Sequence, residues 1–249
     1  MRSTRIILSL IAGVVFLCCA VAFSSSPPPV PKPAHLVAVV CEDEYRARET
    51  VPPLARELAK AFGLRCTVLL GNESKTHIPG LEMLRQADVL MMFLRRTMLP
   101  ANELRLFQEY FDRGGHVIAL RTSSHAFQNW LEFDHLVLGG NYHGHYGRKL
   151  VPTVVSPVPQ QREHPIVRGF PQLYRSQGTL YKTSPVASDA TVLLTGRVRG
   201  QAAEPVAWLR HYRGGVVFYT SLGHPEDFAQ AAFRKLIRQA LGYMLDQER

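Results

Sequence analysis

His116-Val117-Ile118-Ala119-Leu120 runs directly into Arg121-Thr122-Ser123-Ser124-His125. An apolar run too short for a helix gives way, within one residue, to a polar turn rich in hydroxyls. Such a run reads as a strand buried on both faces. Just upstream, Pro100 opens a helix with Leu104, Phe107, Tyr110 and Phe111 on one side, and Gly114-Gly115 stops it. Helix, strand and polar turn in this order are the second half of a crossover unit, which lays successive strands parallel.

The same grammar extends towards the amino end. Val89–Leu94, Cys66–Leu70 and His35–Cys41 are further short apolar runs that read as strands, the last of them rich in β-branched residues. Between them lie a short helix at Leu81–Ala87 and a longer one capped by Thr50. The longer helix carries Pro52 and Pro53 in its first turn, an apolar face of Leu54, Leu58, Ala61 and Phe62, and a stop at Gly63. Towards the carboxyl end, strands are expected at Val151–Val155, Thr191–Thr195, Val206–Leu209 and Val216–Thr220. The last two read as a hairpin joined through Tyr212-Arg213-Gly214-Gly215, and Phe228–Leu245 as a closing amphipathic helix. The expectation is an α/β fold: a doubly wound parallel sheet with an added β-hairpin region, over residues 34–249.

The residues before position 34 have a different character. Two arginines lie within Met1–Arg5, Ile6–Phe23 is uncharged and apolar, and Ala20-Val21-Ala22 has the small-x-small pattern of a signal-peptidase site. Residues 1–23 thus read as a signal peptide or as an uncleaved membrane anchor, since an apolar stretch of this length just spans a bilayer. Residues 24–33, SSSPPPVPKP, form a Pro/Ser-rich linker that is unable to pack a core. Export to the periplasm or beyond follows from either reading, with membrane contact only through an uncleaved leader.

Formal net charge is +9, and losing Arg2 and Arg5 with the leader leaves +7. The bases are scattered singly among acids, without a basic run or interleaved stacking aromatics, so no nucleic-acid partner is expected. Beyond the leader only Cys41 and Cys66 remain. With the first two strands parallel neighbours, Leu36 lies beside Cys66 and Cys41 is five residues further on. At about 3.3 Å per residue that offset is roughly 16 Å, too far for a disulfide.

In an open parallel sheet, ligands bind beyond the carboxyl ends of the strands. Three segments lie there. Arg121–His125 is placed either as a nucleophile elbow or anion site, or as plain caps of the next helix. Gly139–Gly147 holds His143 and His145, whose His-x-His spacing suits either a polar lining or two ligands of a metal site. Gly223-His224-Pro225-Glu226-Asp227 either caps the last helix or presents His224 to the cleft with Glu226 orienting it.

The stretches AVVCEDEY, ALRTSSHAF, LGGNYHGHYG, EHPIVRGF, LYKTSPVA, EPVAW and VVFYTSLGHPEDF resemble ThuA-like (trehalose-utilisation) domain proteins of the exported bacterial group. That resemblance implies a flavodoxin-like fold similar to class I glutamine amidotransferases, and a role in carbohydrate metabolism. His224-Pro225-Glu226 matches the late His-Pro-Glu of the amidotransferases, but Arg121 stands where their nucleophilic cysteine belongs, so glutaminase chemistry is excluded. Many ThuA-like proteins carry histidine at that position, a further departure of this chain. The resemblance implies a sugar-processing hydrolase or lyase acting on a glycoside or oxidised sugar. His224, Glu226 and Arg121 are then the candidate catalytic residues, and Ser123, His125, Tyr142, His143, His145 and Lys182 the candidate substrate-binding residues. The alternative is a non-catalytic sugar or small-metabolite binding protein on the same scaffold. The sequence names no cofactor and leaves a metal open.

Overall fold

A computed structural model describes residues 32–147 and 151–247. The leader and all but the last residues of the linker lie outside these. Among the described residues no helix is long and apolar enough to cross a membrane. One nine-stranded sheet organises the chain, in the order β2-β1-β3-β4-β9-β8-β7-β5-β6. Its strands are β1 (His35–Cys41), β2 (Arg65–Leu70), β3 (Val89–Leu94), β4 (His116–Leu120), β5 (Thr153–Pro157), β6 (Tyr174–Ser176), β7 (Thr191–Arg197), β8 (Glu204–Tyr212) and β9 (Gly215–Thr220).

The first five strands of that order are parallel, and from β8 outward every pairing is antiparallel. The expected hairpin is present as β8–β9, with Tyr212 opposite Gly215. It is not an appendage, however. It is the hinge of a mixed sheet, because β9 joins the parallel half and β8 carries three more strands beyond it. The sequence concealed this because β5 to β7 show only partial alternation, with Val154 and Ser156 half-buried between buried neighbours.

Burial follows the strand pattern. β1, β3, β4 and β9 are buried at every position, as uninterrupted apolar runs require when both faces are covered. Helices α1 (Ala47–Phe62) and α3 (Ala231–Gln247) pack on one face through Leu54, Leu58, Phe233, Leu236 and Ile237. Helix α2 (Ala101–Asp112) packs on the other through Leu104, Phe107, Tyr110 and Phe111.

Several boundaries differ from expectation. Helix α1 begins at Ala47, not after Thr50, with Arg46 left-handed at φ 52°. The cause is Glu42, whose carboxylate accepts the backbone N–H groups of Glu44, Tyr45 and Ala47 at 2.7, 2.8 and 2.6 Å. That carboxylate does what a short cap residue does elsewhere, and it draws Pro52 and Pro53 into the helix interior. Leu81–Gln86 is 3₁₀ rather than α, and α3 starts three residues late, after a 3₁₀ turn at Asp227–Ala229. The register places Leu36 beside Cys66, and both Cys41 and Cys66 are free thiols.

Candidate functional site

Arg121 follows β4 with φ at 43°. A left-handed backbone is costly for a residue with a Cβ, and such strain gathers where a side chain must be aimed. The side chain turns inward and is 1% exposed. Its Nη1 donates to the Ser221 carbonyl at 2.7 Å, and its Nη2 to the Tyr45 hydroxyl at 3.3 Å and to Thr179 Oγ1 at 3.5 Å. The guanidinium plane lies over two rings, 4.2 Å from the Tyr45 centroid and 4.9 Å from that of Tyr181. A Cβ at Gly178 would come within 2.6 Å of Nη1, so only glycine lets that loop pass. Nε has no hydrogen-bond partner. Among the described residues no carboxylate pairs with this cation. Burial opposes its charge, but its surroundings reverse the balance and its pKa is raised.

The hydroxyls beside it have neither role expected of them. Thr122 Oγ1 donates to the Leu94 carbonyl at 2.8 Å, and Ser123 Oγ to that of Met92 at 3.0 Å. Both residues are fully buried. They bolt the turn to β3, so Ser123 faces the interior and not the cleft.

His125 stacks on Tyr142 at 4.5 Å with an 18° tilt, and Tyr142 leans on Tyr181 at 4.7 Å. Burial, followed by the charges of Arg95, Arg96 and Arg121, pushes the His125 pKa down to about 3. This imidazole is therefore neutral at ordinary pH. The Gly139–Gly147 loop is held by Asp134, whose Oδ2 accepts the Tyr142 N–H at 2.8 Å. It then pairs with residues 180–182: His143 N–H to the Lys182 carbonyl at 3.1 Å, and Tyr146 N–H to that of Leu180 at 2.9 Å. Gly144, at φ 122°, bends the strand between the two histidines. His145 bridges to Tyr181 and is close enough to act electrostatically on His125. His143 is exposed, with Nδ1 2.7 Å from the carbonyl of Asn141 in its own loop. Lys182 Nζ lies 4.9 Å over the Tyr146 ring. Among the described residues no group of three or more His, Cys, Asp or Glu is disposed to hold a metal ion.

His224 stands edge-on to Tyr45 at 6.3 Å between centroids, which puts it beside the ring that covers Arg121. Its Nδ1 is buried and has no hydrogen-bond partner. Burial, then Arg121, lowers its pKa below that of a free histidine. Glu226 is exposed and makes no hydrogen bond to it. The carboxylate that organises this turn is Asp227. It accepts the Gly223 and His224 N–H groups at 2.9 Å each, the Tyr174 hydroxyl at 2.8 Å and the Ser176 hydroxyl at 2.9 Å. Tyr45 and Tyr181 are the principal site residues that sequence reasoning missed, while Asp227, named within its turn, has the organising place that the spacing gave to Glu226. Tyr45 could have been found, since it follows the first strand at the same edge. Tyr181 reaches the cleft only through tertiary pairing.

Of the acids at this edge, Glu226 is exposed and the others are committed elsewhere. Glu42 holds the start of α1, Asp43 accepts from Lys75 at 2.7 Å, Glu44 pairs with Arg95, and Asp227 is filled by four donors.

A strained, buried arginine at the end of a parallel strand, covered by Tyr45 and Tyr181 with His224 and His125 nearby, is the candidate site on a mixed α/β sheet. The ThuA family, described as trehalose utilisation, matches residues 36–244, and the chain belongs to it, which gives it a carbohydrate-related role. Among solved structures, a ThuA-like protein from Bacteroides uniformis ATCC 8492 superposes with a TM-score of 0.65 at 17% identity, covering 88% of this chain and 94% of its own. One from Parabacteroides merdae ATCC 43184 gives 0.65 at 16% identity, covering 86% and 90%. A β-galactosidase from Rahnella sp. R3 gives 0.56 at 14% identity, covering 84% of this chain and 31% of that one. At these identities the likeness is one of fold. Among curated proteins none matches the chain in sequence.

Proposed function

We propose that the protein is an exported enzyme that moves a proton on a carbonyl-bearing sugar, lyase chemistry rather than two-carboxylate glycoside hydrolysis. The observation that carries the reading is the Arg121–Tyr45–His224 arrangement: a caged cation, a half-buried phenol bonded to it, and beside them a neutral imidazole with an unused nitrogen. Two-carboxylate hydrolysis needs a free acid and a free base about 5–9 Å apart, and the acids at this edge are engaged elsewhere or exposed. Proton abstraction beside a ketone needs a base that is unprotonated at working pH and a donor for the enolate oxygen. His224 supplies the first and the Tyr45 hydroxyl, backed by Arg121, the second. His224 takes the α-proton and the electron pair is held as an enolate on the carbonyl oxygen. The enolate then collapses to form the Cα–Cβ double bond as the Cβ–O bond breaks, and the departing oxygen takes the proton from the His224 imidazolium.

The scaffold reading goes with this: a flavodoxin-like, doubly wound core related to the amidotransferases. Its support is the parallel order β2-β1-β3-β4-β9 with helices on both faces, and the left-handed residue after β4. Export rests on the leader pattern of residues 1–23, and amino-terminal sequencing of protein from fractionated cells tests it. A second reading, a binding protein without turnover, is favoured by the near-complete burial of Arg121. A keto-glycoside incubated in deuterated buffer separates the two. Enzyme predicts deuterium at the carbon beside the ketone and its loss in His224→Gln. Binding without exchange returns the protein to the second reading, and glycoside cleavage without exchange rejects the proton-transfer route.

A further inference from the structure

Beside the Tyr142–His125 stack the surface opens into a cavity of about 290 Å³. At the low end of ligand-pocket sizes, it suits one sugar ring and not two. One wall is apolar and rigid. Trp130 packs on Phe127 at 5.6 Å and on Phe133 at 5.1 Å, and Phe127 and Phe133 are themselves in contact at 5.0 Å. Tyr142 and His125 also line it, with Gln128 and Asn141 among the polar groups. Asp134, 8% exposed, contributes a carboxyl whose Oδ1 has no partner while Oδ2 holds Tyr142. Gly140 passes so close to Oδ1 that a Cβ there would come within 2.3 Å.

We infer that this cavity is the subsite for a neutral pyranose ring, the half of a glycoside that does not react, held between Trp130 and the Asp134 carboxyl. The inference rests on the carbohydrate reading of the neighbouring cleft. A pyranose has an apolar face of C–H groups and a polar rim of hydroxyls. The aromatic wall matches the face, and the amides and carboxyl match the rim. A buried carboxyl oxygen without a partner is costly, and a ring hydroxyl is the partner it lacks. Burial raises the Asp134 pKa to about 7, so near neutral pH the group both donates and accepts. The cavity lining includes no lysine or arginine, so a uronate or sugar phosphate would meet the Asp134 carboxyl with no cationic side chain in the lining to pair with.

Methyl glucoside, glucuronate and cyclohexanol, titrated into the full chain by calorimetry, test the subsite. Methyl glucoside should bind saturably and shift the emission of Trp130, while buried Trp208, tied to the Leu138 carbonyl, stays silent. Glucuronate and cyclohexanol should bind about tenfold more weakly or not at all. Trp130→Ala should weaken methyl glucoside about tenfold, the usual loss for a central aromatic anchor, and Trp130→Phe should restore most of it. Equal binding of glucuronate, or of methyl glucoside to Trp130→Ala, overturns the subsite. His224→Gln keeps the two readings apart. That variant should lose exchange and keep ring binding; in the unaltered protein, ring binding without exchange sinks only the proton-transfer reading, whereas exchange without ring binding sinks only the subsite.

Discussion

Arg121 after β4 and Asp227 after β9 are both buried charges at the carboxyl edge of the sheet, one 1% and the other 0% exposed, and they are housed in opposite ways. Asp227 receives four hydrogen bonds, two from backbone and two from hydroxyls, each between 2.8 and 2.9 Å. Every one joins the β9 turn to the antiparallel half of the sheet or to itself. Arg121 has one good hydrogen bond, two long ones, two aromatic faces and an orphaned Nε. The anion is completed by the fold, and the cation is merely tolerated by it. A buried charge left incompletely satisfied is the kind a protein keeps for a ligand, because stability alone would favour replacing it. On the proposed reading, the difference separates architecture from site within a single sheet edge.

The sharpest way to break this contrast is Asp227→Ala. Four donors lose their acceptor at once, so unfolding free energy in urea should fall by about 3–5 kcal/mol, the range for breaking a buried charged set. A midpoint unchanged from that of the unaltered protein would show that the four bonds are not structural. Arg121→Met should behave in the reverse manner. An apolar chain of similar length leaves the tyrosine cage filled, and stability should stay within about 1 kcal/mol or rise. Deuterium exchange on a keto-glycoside should drop by about two orders of magnitude, the usual cost of removing an oxyanion donor. Arg121→Lys should not recover it, since an ammonium does not lie flat between two rings. Large destabilisation by Arg121→Met would place the arginine with Asp227 as architecture.

A pH titration sharpens the same contrast on the imidazole side. His125 is held neutral by burial and by the nearby arginines, with its folded pKa near 3 against about 6.5 unfolded. The unfolded chain binds the proton more readily, so stability is complete above about pH 6.5 and declines as pH falls towards 3. His125→Phe should flatten that part of the stability–pH curve while keeping the stack on Tyr142. A curve of the same slope in the variant would assign the acid loss to other groups.

How much of this was legible beforehand divides along the sheet. The parallel half was readable because β1, β3 and β4 are buried on both faces and so are written as unbroken apolar runs. The antiparallel half was only partly readable. Its strands carry Arg175, Thr195 and Arg210 among buried residues, and β6 is three residues long. At the site, Arg121, His125 and His224 could be named because they follow strands at one edge, and Tyr142 because it lies in the glycine- and histidine-rich loop. Their partners could not. Tyr181 and Thr179 lie in a loop whose place is fixed by pairing with residues 143–146, and the commitment of Glu42 to the start of α1 is a matter of three backbone contacts that no spacing displays. Ser123 was misjudged for the same reason: a hydroxyl after a strand points either into the cleft or back to its neighbour's carbonyl, and the sequence is identical in both cases.

The smallest expected effect belongs to Glu226, and it tests whether His224 needs an orienting carboxylate. The His-Pro-Glu spacing suggests a pair, with the glutamate fixing the tautomer of the imidazole. The turn gives that glutamate no hydrogen bond to Nδ1: Glu226 is exposed, and His224 Nδ1 is buried without a partner. What fixes the ring is its edge contact with Tyr45 and the backbone N–H of His224, which donates to Asp227. The pKa of His224 is lowered by burial and then by Arg121, with Asp227 and Glu226 opposing weakly, so an unprotonated imidazole does not depend on the glutamate. Glu226→Gln should accordingly change unfolding free energy by no more than about 0.5 kcal/mol, as exposed substitutions usually do. It should leave exchange within about twofold, with the acid limb of its pH profile still below the ordinary histidine value. A hundredfold loss of exchange with unchanged stability would show instead that the glutamate closes onto the imidazole when substrate is bound. It would also move the β9 turn from the architectural side of the comparison to the side of the site.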